Sequence, residues 1–187
     1  MGSCVFNYQE VDVNFEKYYQ VYNFLKKNIY YDILNNTPFD YHAAKVLDDK
    51  YSTSNSDKFK ILLSKPSDKF HDSVNLFINE LYSDNFTDFI KKCFKTEKFT
   101  LNAKLWISLP ESEVMPHYDD SRKIGNIMFY LNQNAKGGET VFWKKDIPVF
   151  TTNINDNSTV FMRTRKNKHS VNQNFSIRKV IIVNIWK

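Results

Sequence analysis

Beyond about residue 100, the apolar residues of this 187-residue chain stop recurring every three to four positions and gather into short β-rich runs. The runs cover 103–109, 124–131, 140–143, 159–162 and 177–186, and polar turn-forming stretches such as 133–138 and 153–158 separate them. A single strand leaves its backbone N–H and C=O groups unpaired, so such runs form only as parts of a sheet. Several short strands joined by polar turns predict an antiparallel sandwich or barrel for the second half.

The first hundred residues read differently. Residues 14–28 carry Phe15, Tyr18, Tyr19, Tyr22 and Leu25 at the spacing of an amphipathic helix. Ser67 is a candidate N-cap ahead of Phe70, Val74, Phe77 and Leu81, and Ser83-Asp84 opens a shorter helix through Phe86, Phe89, Ile90 and Phe94. Aromatic residues at this spacing are core packing, and polar residues 52–57 read as a loop. The expected fold class is therefore α+β, mainly β with a helical N-terminal layer. Residues 1–100 form the supporting layer and 101–187 the β core of one domain spanning 1–187. A domain of this size buries about 70% of its unfolded surface, so it needs neither disulfide nor metal merely to stay folded.

Composition excludes several classes of function. The net charge of +5 comes from Lys spread along the chain with acids interleaved. Only Arg163-Thr164-Arg165-Lys166-Asn167-Lys168 is dense, and it reads as an exposed strand edge where Lys discourages edge-to-edge pairing. Nucleic acid is not an expected partner. Abundant Asn, Lys, Phe and Tyr beside scarce Gly, Ala and Arg is the pattern of an A/T-rich coding sequence, viral genomes among them. No apolar run reaches transmembrane length and no signal-peptide core is present, so no membrane partner is expected. Cys4 and Cys93 lack metal or redox spacing, which points to a reduced, cytoplasmic setting. Nothing in the sequence fixes the oligomeric state.

Chemistry concentrates in the β half. In His117-Tyr118-Asp119 on an extended segment, residues i and i+2 project to the same side, so an imidazole and a carboxylate can meet one ion. His169, at the end of a predicted strand, offers a third ligand. Two His and one carboxylate on a rigid sheet form a facial triad for Fe(II) and leave three coordination positions open, two for a chelating cosubstrate and one for O2. The other histidines, His42 and His71, fall in the helical half and read as surface residues. Arg178 opens the strongly apolar last strand, and its charge requires a partner there: an internal Asp or Glu, or the carboxylate of a ligand.

Pro116-His117-Tyr118-Asp119, Tyr130-Leu131-Asn132, Gly137-Gly138-Glu139-Thr140-Val141-Phe142, and His169 with Arg178 occur in this order. Together they resemble the 2-oxoglutarate/Fe(II)-dependent oxygenases, with local motifs most similar to the prolyl 4-hydroxylase group. The resemblance covers roughly 105–186. It implies a double-stranded β-helix (jelly roll) with His117, Asp119 and His169 as Fe(II) ligands and catalytic centre. Arg178 pairs with the distal carboxylate of 2-oxoglutarate, Tyr130 hydrogen-bonds the same carboxylate, and Thr140 is a further candidate for that pocket. The implied activity is that of a dioxygenase consuming O2 and 2-oxoglutarate and hydroxylating a small molecule or a protein side chain.

The sequence also departs from the prolyl 4-hydroxylases. Those enzymes usually carry Lys where Arg178 stands, a Tyr/Gly-rich stretch where 108–115 has neither residue, and a Gly-Asp turn where Asn157-Ser158 stands. The segment Asn36-Thr37-Pro38-Phe39 and the 86–94 helix are more similar to small viral and bacterial oxygenases. Peptidyl-proline hydroxylation, nucleic-acid demethylation and a catalytically inactive jelly-roll binding module remain as alternatives, and an intact Asp119 disfavours halogenation. Two of the four glycines stand together as Gly137-Gly138, which predicts a tight turn with φ > 0 that sets two strands in register.

Overall fold

The computed structural model describes residues 5–36, 58–68, 70–163 and 167–187. The readings placed on Cys4, His42, residues 52–57, Thr37-Pro38-Phe39 and Thr164-Arg165-Lys166 lie outside the described residues. After a 3-10 turn at Tyr8–Glu10 come strand β1 (Tyr18–Tyr22), helix α1 (Lys27–Asn36), β2 (Lys58–Leu62), α2 (Asp72–Leu81) and α3 (Asp84–Phe94). Eight more strands follow: β3 (Thr100–Ser108), β4 (Val114–His117), β5 (Lys123–Tyr130), β6 (Thr140–Lys144), β7 (Ile147–Thr151), β8 (Ser158–Arg163), β9 (Lys168–Val171) and β10 (Arg178–Trp186).

The strands form two antiparallel sheets, a six-stranded one in the order β1-β8-β5-β10-β3-β2 and a four-stranded one in the order β4-β9-β6-β7. Facing sheets with these crossovers make the jelly roll that the sequence motifs implied. β10 is central, pairing with β3 from Arg178↔Ser108 to Trp186↔Thr100 on one side and with β5 on the other. Period-2 alternation then divides its side chains: Ile181, Val183 and Ile185 pack with the helical layer, whereas Val180 belongs to the core between the sheets, with Ile182 against it. The helix-facing core is strongly aromatic. Phe6 stacks on Phe24 at 4.9 Å, and Phe77 meets Phe129 edge-on at 5.2 Å. Each such ring, fully buried, contributes roughly 1.5–3 kcal/mol.

The expected helix over 14–28 does not form. Tyr18–Tyr22 is strand β1, paired with β8 from Tyr18↔Met162 to Tyr22↔Ser158, and the helix starts only at Lys27. A run of aromatic and β-branched residues suits a pleated edge. Tyr18 gains stacking on Phe142 (4.4 Å) and Phe150 (4.9 Å), contacts that helical spacing could not reveal. The first hundred residues thus supply both edge strands of the large sheet as well as helices. Ser83 caps α3, its hydroxyl accepting from Phe86 N–H at 3.2 Å. The α2 cap is His71 rather than Ser67, with Nδ1 accepting from Ser73 N–H, which gives this exposed histidine a structural role.

Candidate functional site

β4 and β9 lie side by side with His117 directly opposite His169, so their imidazoles project from the same face with ring centroids 4.4 Å apart. Asp119 follows two residues past His117. One ligand atom from each of the three falls within 4.8 Å of the others. The second ring nitrogens are occupied: His117 Nδ1 lies 2.9 Å from the Met115 carbonyl and His169 Nδ1 3.1 Å from the Asn167 carbonyl. A carbonyl can only accept, so both Nδ1 atoms carry the proton and both Nε2 lone pairs are left for an ion. Burial pushes His169 below the usual imidazole value, opposed by the Asn167 carbonyl and Asp119, and so favours the neutral, ligating form.

Asp119 is held from behind. Lys123 Nζ donates to Asp119 Oδ2 at 3.1 Å, although Lys123 is only 7% exposed. Strict alternation along β5 would turn Lys123 toward the helices with Gly125, Ile127 and Phe129. A bulge opposite Ile185/Trp186 inserts one residue, so Lys123 pairs with Trp186 and joins Asn126 and Met128 on the inner face. Burial lowers the pKa of Lys123, and Asp119 counteracts this.

At the opposite end of the same cavity, Arg178 is 5% exposed. Among the described residues no carboxylate forms an ion pair with it, and its Nε–H has no acceptor. The internal-salt-bridge alternative therefore fails for the described residues. Burial lowers the guanidinium pKa, with Tyr130 and then Glu139 favouring the charge, but a guanidinium stays protonated regardless. Its Cζ lies 5.4 Å from the centroid of the Tyr130 ring. The Tyr130 hydroxyl is 2.8 Å from Thr140 Oγ1, across the two sheets, so both side chains stand at this end. The cavity between holds about 170 Å³, the share of roughly five or six liquid waters. Met128, Val171 and Ile182 give it apolar walls.

Gly137 and Gly138 have φ of 71° and 80°, as a φ > 0 turn requires. Their purpose differs from the expected strand registry, because β5 and β6 belong to different sheets. A Cβ on Gly138 would stand 2.7 Å from Arg178 Cδ, and one on Gly137 would collide with the Gln173 carbonyl. The pair lets the chain pass directly against Arg178 and the loop ahead of β10. Asn174 in that loop, 1% exposed, fastens it to residues 108–112: its Nδ2 donates to the Leu109 carbonyl at 2.5 Å, and its Oδ1 accepts from Ser112 Oγ at 2.7 Å. The Tyr/Gly-poor stretch is thus fixed by side-chain hydrogen bonds.

Sequence reasoning missed Lys123, Asn126, Asn174 and Asn184. Asn126 and Asn184 fall in the runs 124–131 and 177–186 that read as strands, but nothing marks their side chains as functional, and a bulge hides Lys123 from period-2 reading. The basic run is not a free cationic surface where it is described. Arg163 donates to the Cys93 carbonyl at 2.6 Å and lies over the Phe15 ring, and Lys168 pairs with Asp146 at 2.8 Å. No helix among the described residues is long and apolar enough to cross a membrane.

Two imidazoles and a carboxylate with open positions, both histidines fixed as Nε2 donors, fit Fe(II), and the unpaired Arg178 fits a dicarboxylic cosubstrate. No family model matches the sequence, and no curated protein sequence matches it. Solved structures do match. A prolyl-4-hydroxylase from Pseudomonas putida superposes with a TM-score of 0.68 at 13% identity, over 96% of this chain and 98% of that one. A Trichoplax adhaerens prolyl hydroxylase in complex with a hypoxia inducible factor peptide fragment gives 0.68 at 14%, over 93% and 85%. The viral collagen prolyl hydroxylase of Paramecium bursaria Chlorella virus-1, solved as its 2OG complex, gives 0.56 at 16%, over 94% and 97%. At these identities the likeness defines architecture, and the jelly roll of this chain is the fold in which 2OG-Fe(II) oxygenases and prolyl hydroxylases are built.

Proposed function

We propose that the chain is an Fe(II)- and 2-oxoglutarate-dependent dioxygenase that hydroxylates a small molecule or a protein side chain. The observation that carries this reading is the union in one cavity of the His117/Asp119/His169 cluster and a buried Arg178 without an acidic partner. In this reading residues 101–187 carry the site and 1–100 the support of a single domain.

His117, Asp119 and His169 would hold Fe(II), which when bound supplies oxygen activation coupled to conversion of 2-oxoglutarate and O2 into succinate and CO2. Arg178 binds the distal carboxylate of the cosubstrate with charge-assisted hydrogen bonds, in a place where water is excluded and the pair is correspondingly strong. Of the Tyr130 and Thr140 hydroxyls one donates to the other, and the remaining O–H is the donor for that carboxylate. The apolar walls at Met128, Val171 and Ile182 would confine the carbon chain between Arg178 and the metal ligands. The Met115 and Asn167 carbonyls keep both imidazoles in one tautomer, and Lys123 fixes the orientation of the Asp119 carboxylate.

The test is Fe(II)-dependent release of succinate from 2-oxoglutarate, with the anaerobic charge-transfer band as an independent measure of binding. The wild type is expected to show both. His169→Ala and Asp119→Ala are expected to lose iron-dependent turnover; full turnover in either would refute the triad.

A further inference from the structure

The inner face of the large sheet carries more polar groups than the proposed cosubstrate can use. Asn126 on β5 and Asn184 on β10 are direct cross-strand partners, and both line the cavity. Asn126 is 3% exposed, its Oδ1 has no hydrogen-bond partner, and among the described residues nothing bonds its amide nitrogen either. Asn184 donates through Nδ2 to the Asn102 carbonyl at 3.4 Å, which leaves its Oδ1 as an acceptor. Buried polar groups are nearly always paired, so unpaired amide atoms in this wall mark the place of a ligand.

This row is separate from the Arg178 end. Residues 178, 180, 182 and 184 share one face of β10, so Asn184 lies about 20 Å of strand away from Arg178. A five-carbon diacid held by Arg178 is too short to cover that distance and leaves the asparagine row beyond it. Lys123, the clamp on Asp119, is the next inner-face residue of β5 past Asn126 and pairs with Trp186, so the row adjoins the metal ligands at the end of the cavity away from Arg178.

The chemistry of the row selects its occupant. It offers two acceptors, Asn126 Oδ1 and Asn184 Oδ1, and one donor, Asn126 Nδ2–H. A carboxylate would face two oxygens, an ammonium would leave the Asn126 N–H unpaired with the Lys123 charge nearby, and an alkyl group would leave everything unpaired. A neutral group with a carbonyl and an N–H side by side satisfies both kinds. We infer that Asn126 and Asn184 form a subsite for a neutral carboxamide of the substrate, set beside the proposed metal site. The inference rests on the oxygenase reading for its purpose, but the subsite itself can be tested without metal.

Four N-acetyl methylamide probes of matched length, built on glutamine, glutamate, ornithine and norleucine, differ only in the side-chain end. Saturation-transfer NMR on the metal-free protein is expected to show contact with the glutamine probe at its side-chain amide, reduced about tenfold or more by Asn126→Leu, since a site built to hydrogen-bond a group discriminates strongly against its loss. Asn184→Leu serves the same purpose if Asn126→Leu does not fold. With Fe(II), 2-oxoglutarate and O2, only the glutamine probe is expected to raise succinate release several-fold. Equal contact by the norleucine or glutamate probe overturns the subsite. So does a tenfold rise in KM for 2-oxoglutarate in Asn126→Leu, which would give the amide to the cosubstrate. Amide-selective contact together with no iron-dependent turnover would refute the oxygenase reading and leave the carboxamide subsite standing.

Discussion

Replacing Gly138 by alanine tests whether the glycine pair exists for the sake of Arg178. At φ of 80° an L-residue strains the backbone by about 1–2 kcal/mol. The new methyl would begin 2.7 Å from Arg178 Cδ, where ordinary carbon contacts start near 3.5 Å. The backbone on one side is held by the Gly138 N–H to Gln173 carbonyl bond at 3.3 Å, so the arginine side chain must yield by most of an ångström. A guanidinium displaced that far loses alignment with a carboxylate, and one misaligned charged hydrogen bond costs roughly 1.5–3 kcal/mol, a rise of about 10- to 150-fold in KM for 2-oxoglutarate. Gly137→Ala is the control. Its φ of 71° carries the same backbone strain and its Cβ collides with the Gln173 carbonyl, but no atom of Arg178 is among its near neighbours. Both variants are expected to melt several degrees below the wild type, as 1–2 kcal/mol implies for a domain of this size. Only Gly138→Ala should raise KM for 2-oxoglutarate, measured by succinate release at saturating Fe(II), with metal affinity intact. Equal KM values in the two variants would refute the reasoning, because Gly138 would then be a backbone requirement alone.

Lys123→Met keeps the length of the side chain and removes its bond to Asp119; metal affinity measured by calorimetry with Mn(II) is expected to fall about 10- to 100-fold, as for lost partners of metal ligands generally, and unchanged affinity would remove Lys123 from the site. Arg163→Ala loses the bond to the Cys93 carbonyl and the contact with the Phe15 ring, so urea denaturation should show a loss of about 2–3 kcal/mol, with KM for 2-oxoglutarate unaffected. Burial pushes the Cys93 thiol up to about 12, so it stays protonated at every pH below that. In a Cys4→Ser background, iodoacetamide at pH 8 should label Cys93 only after denaturation, and rapid labelling of the folded protein would contradict its burial.

The ligand-bearing motifs could be read in the sequence, but not the sheet that holds them. β5, β8 and β10 are continuous apolar runs because they are covered on both faces, and such runs are visible in any reading. Of the four-stranded sheet, β4 and β7 contain Pro116 and Pro148 and β9 reads Lys-His-Ser-Val, so none has a strand signature. The prolines are tolerated because β4 and β7 are the edges of that sheet. The His117–His169 opposition was thus unreadable although both residues stood out. β1 failed for the opposite reason: its tyrosines fit a helical period, and pairing with β8 overrode it. Glycine scarcity was legible only in part. Asn23, Asn134, Asp156 and Asn157 take φ > 0 where glycine is usual, a role that short polar side chains permit.

The central place of β10 has a consequence for how the chain reaches this structure. Of the strands among the described residues it is the last to leave the ribosome, and until it arrives β3 and β5 have no shared neighbour and the large sheet stands divided. All three proposed metal ligands are synthesised earlier, yet the floor beneath them and the arginine at its far end come with that final strand. β1, made near the start, must likewise wait for β8, some 140 residues later. Such long-range closure makes for slow folding, with two exposed strand edges during synthesis. Losing even part of 178–186 would therefore divide the core, and the cofactor pocket could not assemble in stages.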